Sequence, residues 1–325
     1  PSQEQLNSLL ELYQTGKYPD AEKLSVSITE EFPKHPFAWK VLAIVFKQMG
    51  KVNESLITSQ KSVQLDPQDA EAHNNLGIIL KELGRLKEAE ASYRQAITLK
   101  ANFAEAHNNL GIILEELGRL NEAEASYRQA ITLKPDYAEA QNNLGIILQE
   151  LGRLNEAEVS LRQAITLKPD LAEAHSNLGN TLKDQGRLKE AEVSYGQAIA
   201  LKPDYAEAYN NLGVILQEQG ILKEAFSAYI QAINLNPNFT DAYVNLGIAI
   251  KNVRFNSSNV KLYPLLIRLL SNGNFARPID LAPSILSLLK HDPLIKNLLL
   301  EKNFAMSFKE ANSIIGSLDK LTLLH

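Results

Sequence analysis

Asparagine recurs along this chain at intervals of 34 residues. Asn75, Asn109, Asn143, Asn177, Asn211 and Asn245 form one row, and Asn74, Asn108, Asn142 and Asn210 form a second row beside it. A carboxamide carries two N–H donors and a carbonyl acceptor, so a row of them suits both backbone groups of an extended peptide. If neighbouring copies pack at the ordinary helix spacing of ~10 Å, such a row would hold a chain without reading much of its sequence. The competing reading is structural. One asparagine per copy would bond a neighbouring helix, and duplication would repeat it whether or not a ligand uses it.

Other residues at the same period invite chemistry and fail a test of type or distance. His73, His107 and His175 recur, but two ligands of one zinc must lie within about 4 Å of each other, given bonds near 2 Å. Equivalent places of adjacent copies are ~10 Å apart. The same place holds Trp39, Gln141, Tyr209 and Tyr243, which reads as a packing slot and not as a metal site. Cysteine is absent, which removes thiolate nucleophiles and Cys-ligated metals. No phosphate loop, nucleophile elbow, metalloprotease helix or dinucleotide fingerprint occurs. No cofactor and no catalytic constellation is expected within the chain.

The elements that position the asparagines are set by glycine. Gly16, Gly50, Gly84, Gly118, Gly152, Gly186 and Gly220 fall 34 residues apart without a slip, and a period of that size denotes stacked helical units. In the unit from Ala70, Ala72, Leu76, Ile79 and Leu80 make one helical stripe, and Ala89, Tyr93, Ala96 and Ile97 a second. The glycine ends the first helix. Pro135, Pro169, Pro203 or Pro237 closes the second. Small residues mark close helix approach: Gly77, Gly111, Gly145, Gly179, Gly213 and Gly247 at the eighth place, and Ala89, Ala123, Ala157, Ala191 and Ala225 at the twentieth. Tyr93, Tyr127, Tyr195 and Tyr229, with Leu161 once in their stead, read as core. Arg85, Arg119, Arg153 and Arg187 read as a solvated basic edge.

Leu76-Gly77, Leu80, Ala89, Tyr93, Ala96 and the closing proline resemble the tetratricopeptide repeat pattern. The resemblance covers residues 2 to about 250, with full units from 2, 36, 70, 104, 138, 172 and 206 and the first helix of an eighth from 240. It implies an all-α fold, an α-solenoid wound as a right-handed superhelix, with the first helices lining its concave face. The array is expected over 1–253 and a helical capping or docking segment over 254–325. On that face the asparagines resemble the ladder by which the repeat domain of O-GlcNAc transferase grips protein substrates. The carboxylate clamp of chaperone-binding members is not matched: the second place is acidic from Glu71 onward, and the ninth is mostly Ile78, Ile112, Ile146 or Val214.

Charge narrows the partners. Residues 1–253 carry 24 Lys and Arg against 33 Asp and Glu, net −9, whereas 254–325 carry 9 against 5, net +4. An acidic array favours an extended protein or peptide with basic side chains and repels nucleic acid. No membrane-spanning stretch or signal peptide is read, and a cytoplasmic protein is expected. Beyond Phe255 the period is lost, with a helix expected over 258–271 in the second-helix role of the broken eighth unit, and further helices over 281–290, 294–303 and 307–321. Leu281, Leu288, Leu289, Leu294, Leu298 and Leu299 exceed the needs of a short cap and suggest docking, self-association included. This segment is similar to the region following the repeats in large tetratricopeptide proteins of marine cyanobacteria, which implies a second possibility: the recognition arm of a methyltransferase or glycosyltransferase.

Overall fold

The computed structural model describes residues 1–251, 253, 263–271 and 278–291. Two compact units divide the chain, Pro1–Pro169 and Asp170–His325. The first holds α1 (Gln3–Gln14), α2 (Tyr18–Glu31), α3 (Pro36–Gln48), α4 (Val52–Leu65), α5 (Ala70–Glu82), α6 (Leu86–Leu99), α7 (Ala104–Glu116), α8 (Leu120–Leu133), α9 (Ala138–Glu150) and α10 (Leu154–Leu167). The second holds α11 (Ala172–Asp184), α12 (Leu188–Leu201), α13 (Ala206–Glu218), α14 (Leu222–Leu235), α15 (Thr240–Ile250), α16 (Tyr263–Ser271) and α17 (Pro278–Leu289). Among the described residues every regular element is a helix, and consecutive helices from α1 to α10, and from α11 to α15, pack on each other as the repeat pattern requires.

Each of the first seven pairs turns on its glycine. Gly118 sits at φ +72°, where an L side chain is strained. Its N–H donates to the Glu115 carbonyl at 2.8 Å, and the Arg119 N–H donates to the Leu114 carbonyl at 2.8 Å. Those two bonds satisfy carbonyls that the ending helix would otherwise leave open.

The eighth-place glycine has a different cause. A Cβ on Gly111 would meet the Tyr127 ring at 2.5, 2.7 and 2.9 Å, so the ring of the second helix lies directly on the backbone of the first. Gly77, Gly179 and Gly213 face Tyr93, Tyr195 and Tyr229 in the same way, and Gly145 faces Leu161. The N-terminal units reverse the sizes. Leu9 and Ala43 take the glycine place, and by register Ser25 and Ser59 take the tyrosine place. Both serine hydroxyls are buried without a partner.

One mark of the repeat register survives past Phe255. Tyr263 falls at the twenty-fourth place of the unit begun by Thr240, the tyrosine place, and is buried. Leu266, Leu269, Leu281, Ile285, Leu288 and Leu289 join Leu246, Ala249 and Ile250 in one cluster. α16 thus carries the tyrosine place of the eighth unit, and α17 touches α15 and shares its apolar cluster. The Ser284 hydroxyl fastens α17 by donating to the Ile250 carbonyl at 2.6 Å. Leu281, Leu288 and Leu289 are consumed by this core, so the docking role suggested for them has no exposed surface there. Leu294, Leu298, Leu299 and the helices expected over 294–303 and 307–321 lie outside the described residues.

Candidate functional site

The two asparagine rows have different surroundings. Asn74 and Asn108, and likewise Asn142 and Asn210, are buried at the fifth place. Asn75, Asn109, Asn143, Asn177, Asn211 and Asn245, at the sixth, are half-buried. The rows are bonded to each other between repeats. Asn109 Nδ2 donates to Asn74 Oδ1 at 3.1 Å, Asn143 Nδ2 to Asn108 Oδ1 at 3.2 Å, and Asn245 Nδ2 to Asn210 Oδ1 at 3.0 Å. A buried amide left unpaired is costly, so the fifth-place carbonyl gains its satisfaction from the neighbour's rung. Each rung still keeps amide atoms on a half-exposed face.

One repeat solves the same problem differently. Ser176 stands at the fifth place of α11, and Asn180 stands at the ninth where Ile is usual. Asn211 Nδ2 donates to Asn180 Oδ1 at 3.2 Å, and the Tyr195 hydroxyl donates to the same oxygen at 2.7 Å. The signal was the carboxamide missing at Ser176.

On α5, α7 and α9 the sixth, ninth and thirteenth places are spaced i, i+3, i+7 and share one face. They carry Asn75, Ile78 and Glu82; Asn109, Ile112 and Glu116; and Asn143, Ile146 and Glu150. The isoleucines are half-buried, and the three carboxylates are exposed. Glu115, at the twelfth place, accepts the Tyr127 hydroxyl at 2.8 Å. Burial pushes its carboxyl up and outweighs that bond, with Glu150 and Glu116 adding repulsion.

Several acids elsewhere are paired. The second-place Glu105, Glu139 and Glu173 pair with Lys134, Lys168 and Lys202 at 3.6, 2.8 and 3.3 Å. Those lysines at 134 and 202 also stand over the Tyr137 and Tyr205 rings at 4.6 and 4.7 Å. The basic edge read from Arg119 and Arg153 is in fact an inter-repeat clamp: Arg119 reaches Glu90, and Arg153 reaches Glu124, both at 2.7 Å. Lys40 spans Asp69 and Glu71 at 2.8 and 3.0 Å. His73 and His107 rings lie 3.1 and 3.2 Å from the Pro67 and Ala101 carbonyls, as the Trp39 and Tyr243 groups do at Pro33 and Pro237. That place is a packing slot.

Models described as tetratricopeptide repeat match residues 58–91, 102–170 and 206–239, and one described as TPR repeat matches 77–118 and 179–220. Together they cover more than half of the chain. The chain belongs to the tetratricopeptide repeat family. No curated protein matches the sequence. Among solved structures, a chain of the APC/C hetero-tetramer Cut9–Hcn1 is similar, with a TM-score of 0.66 and 19% identity over 74% of this chain and 48% of that one. The present chain therefore spans about half of that protein's length. A tetratricopeptide repeat protein from Parabacteroides merdae gives a TM-score of 0.60 at 17% identity, covering 76% of this chain and 98% of its own. PilW, a type IV pilus biogenesis factor, gives 0.59 at 22%, covering 64% and 96%. These identities establish the tetratricopeptide fold and nothing finer. Among the described residues no helix is long and apolar enough to cross a membrane.

Proposed function

We propose that this tetratricopeptide repeat chain is a non-catalytic scaffold that holds an extended segment of a partner protein against its first helices, with the sixth-place asparagines as the gripping groups. One observation supports the reading most. Asn75, Asn109 and Asn143 stand on one half-exposed face, and the bonds from Asn109 and Asn143 to the fifth-place amides of the preceding repeats fix their side chains in place. Fixed amides lose little rotamer freedom when a ligand arrives. The acidic charge of residues 1–253 favours basic partners. The fifth-place asparagines act in this reading as supports for the rungs and not as ligand contacts.

The test is a peptide array probed with the wild type and with N75A/N109A/N143A, each first shown to be helical and folded. Capture that falls across most peptides supports the ladder. Unchanged capture by the folded variant rejects it.

A further inference from the structure

The spacing of this face restricts the shape and chemistry of what it can hold. α5, α7 and α9 meet directly, since Asn109 and Asn143 bond the amides of the preceding first helix. Helices in contact lie about 8–10 Å apart, and that is the rung spacing taken for this face. A β-strand returns a side chain to the same face every two residues, ~6.7 Å, or every four, ~13 Å. Neither fits. Polyproline II repeats every three residues with a rise of ~3.1 Å each, so it returns at ~9.3 Å with the same face presented.

The rows across each helix define what that recurring residue is. Along the helix axis the isoleucine lies about 4.5 Å from the asparagine and the glutamate about 10.5 Å, at ~1.5 Å per residue. A backbone lying on the asparagines would pass a side chain first over Ile78, Ile112 or Ile146, and then toward Glu82, Glu116 or Glu150. Lys and Arg have that construction, an apolar stem carrying a cationic head. Among the described residues Glu82 and Glu150 make no ion pair, and Glu116 has only Lys81 at 3.3 Å.

Resting on the scaffold reading above, we infer that the face formed by α5, α7 and α9 takes a partner segment in polyproline II conformation with Lys or Arg at every third residue. Its backbone lies on the asparagines, its stems on the isoleucines and its cations at the thirteenth-place glutamates.

The probes are three labelled 12-residue peptides of one composition, three lysines and nine alanines or prolines, with lysine at every second, third or fourth place. Fluorescence anisotropy on the full chain should show the every-third peptide binding about tenfold tighter or more, since the other spacings misalign two of three lysines. E82Q/E116Q/E150Q, altered only at exposed positions, should erase that advantage while leaving the fold intact. Couplings measured by NMR on the bound, isotope-labelled peptide should report polyproline II. Equal binding of the three peptides, or a β-strand conformation in the bound one, overturns the inference and leaves the scaffold reading standing. Failure of all three to bind, while the array still captures other peptides through the asparagines, overturns it too. Failure on both probes removes the scaffold reading as well.

Discussion

Gly111→Ala tests the packing rule that builds every central repeat. Its new methyl would fall 2.5 Å from Tyr127 Cε1. The ring has nowhere to go, because it is fully buried and its hydroxyl is tied to Glu115 at 2.8 Å. Overpacking of this kind costs about 3 kcal/mol at the upper end of the usual range. Replacing glycine by alanine within a helix returns about 1 kcal/mol. The net loss should be about 2 kcal/mol. In a Tyr127→Ser background the ring is gone, so the same substitution should stabilise by about 1 kcal/mol, as the natural pairing of Ala43 with Ser59 anticipates. The sign reverses, and the coupling between the sites is about 3 kcal/mol. Urea unfolding of wild type, the two single variants and the double variant measures all four corners. If Gly111→Ala has the same effect in both backgrounds, the ring is not what excludes a side chain from the eighth place.

Asp69 caps α5 by accepting from the Glu71 and Ala72 N–H groups, and it also holds Lys40. Asp69→Ala should cost about 2 kcal/mol and Asp69→Asn about half of that, measured by urea unfolding, because asparagine keeps the cap. Burial draws the Glu90 carboxyl up, but Arg119 and Arg94 outweigh it and hold it below the ordinary 4.5. The stability this charge supplies is present above the ordinary value and lost as pH falls through the lowered one. Glu90→Gln should therefore melt earlier than wild type at pH 7, converge with it in acid, and lose less in 1 M salt. Glu115 is the opposite case: its carboxyl is raised by burial, so its ionised form costs stability at neutral pH, and the cost disappears as pH falls through the raised value. Glu115→Gln, still able to accept from Tyr127, should equal or exceed wild-type thermal stability at pH 7, with the difference closing in acid.

The helix pairs were readable because glycine and proline act locally. Gly118 needs a positive φ whatever surrounds it, and Pro135 stops a helix wherever it stands. The asparagine rows were visible as rows, but their division into a buried support and a half-exposed rung was not. Asn108 and Asn109 are neighbours of one type, and only the bonds to residues 35 positions away separate their roles. The inter-repeat bonds of Arg119 and Arg153 were hidden for the same reason, since Arg119 finds Glu90 at a separation of 29, across a repeat boundary, whereas Arg85 pairs with Glu88 of its own repeat. Tyr263 kept the tyrosine place after its turn glycine had become Arg254. The turn glycine is therefore lost one helix before the tyrosine is, and the helix expected over 258–271 is the one that carries Tyr263.

The rung that reaches back to the preceding repeat has a genetic consequence. Donor and acceptor lie in different copies but recur in the same places, so the bond between Asn143 and Asn108 repeats that between Asn109 and Asn74. Excising or duplicating 34 residues within this block, wherever the crossover falls, rejoins surfaces that already fit. Unequal recombination can thus change the number of copies without inventing an interface. The count of copies is the property selection can alter most freely, and the junction between copies the one it can alter least.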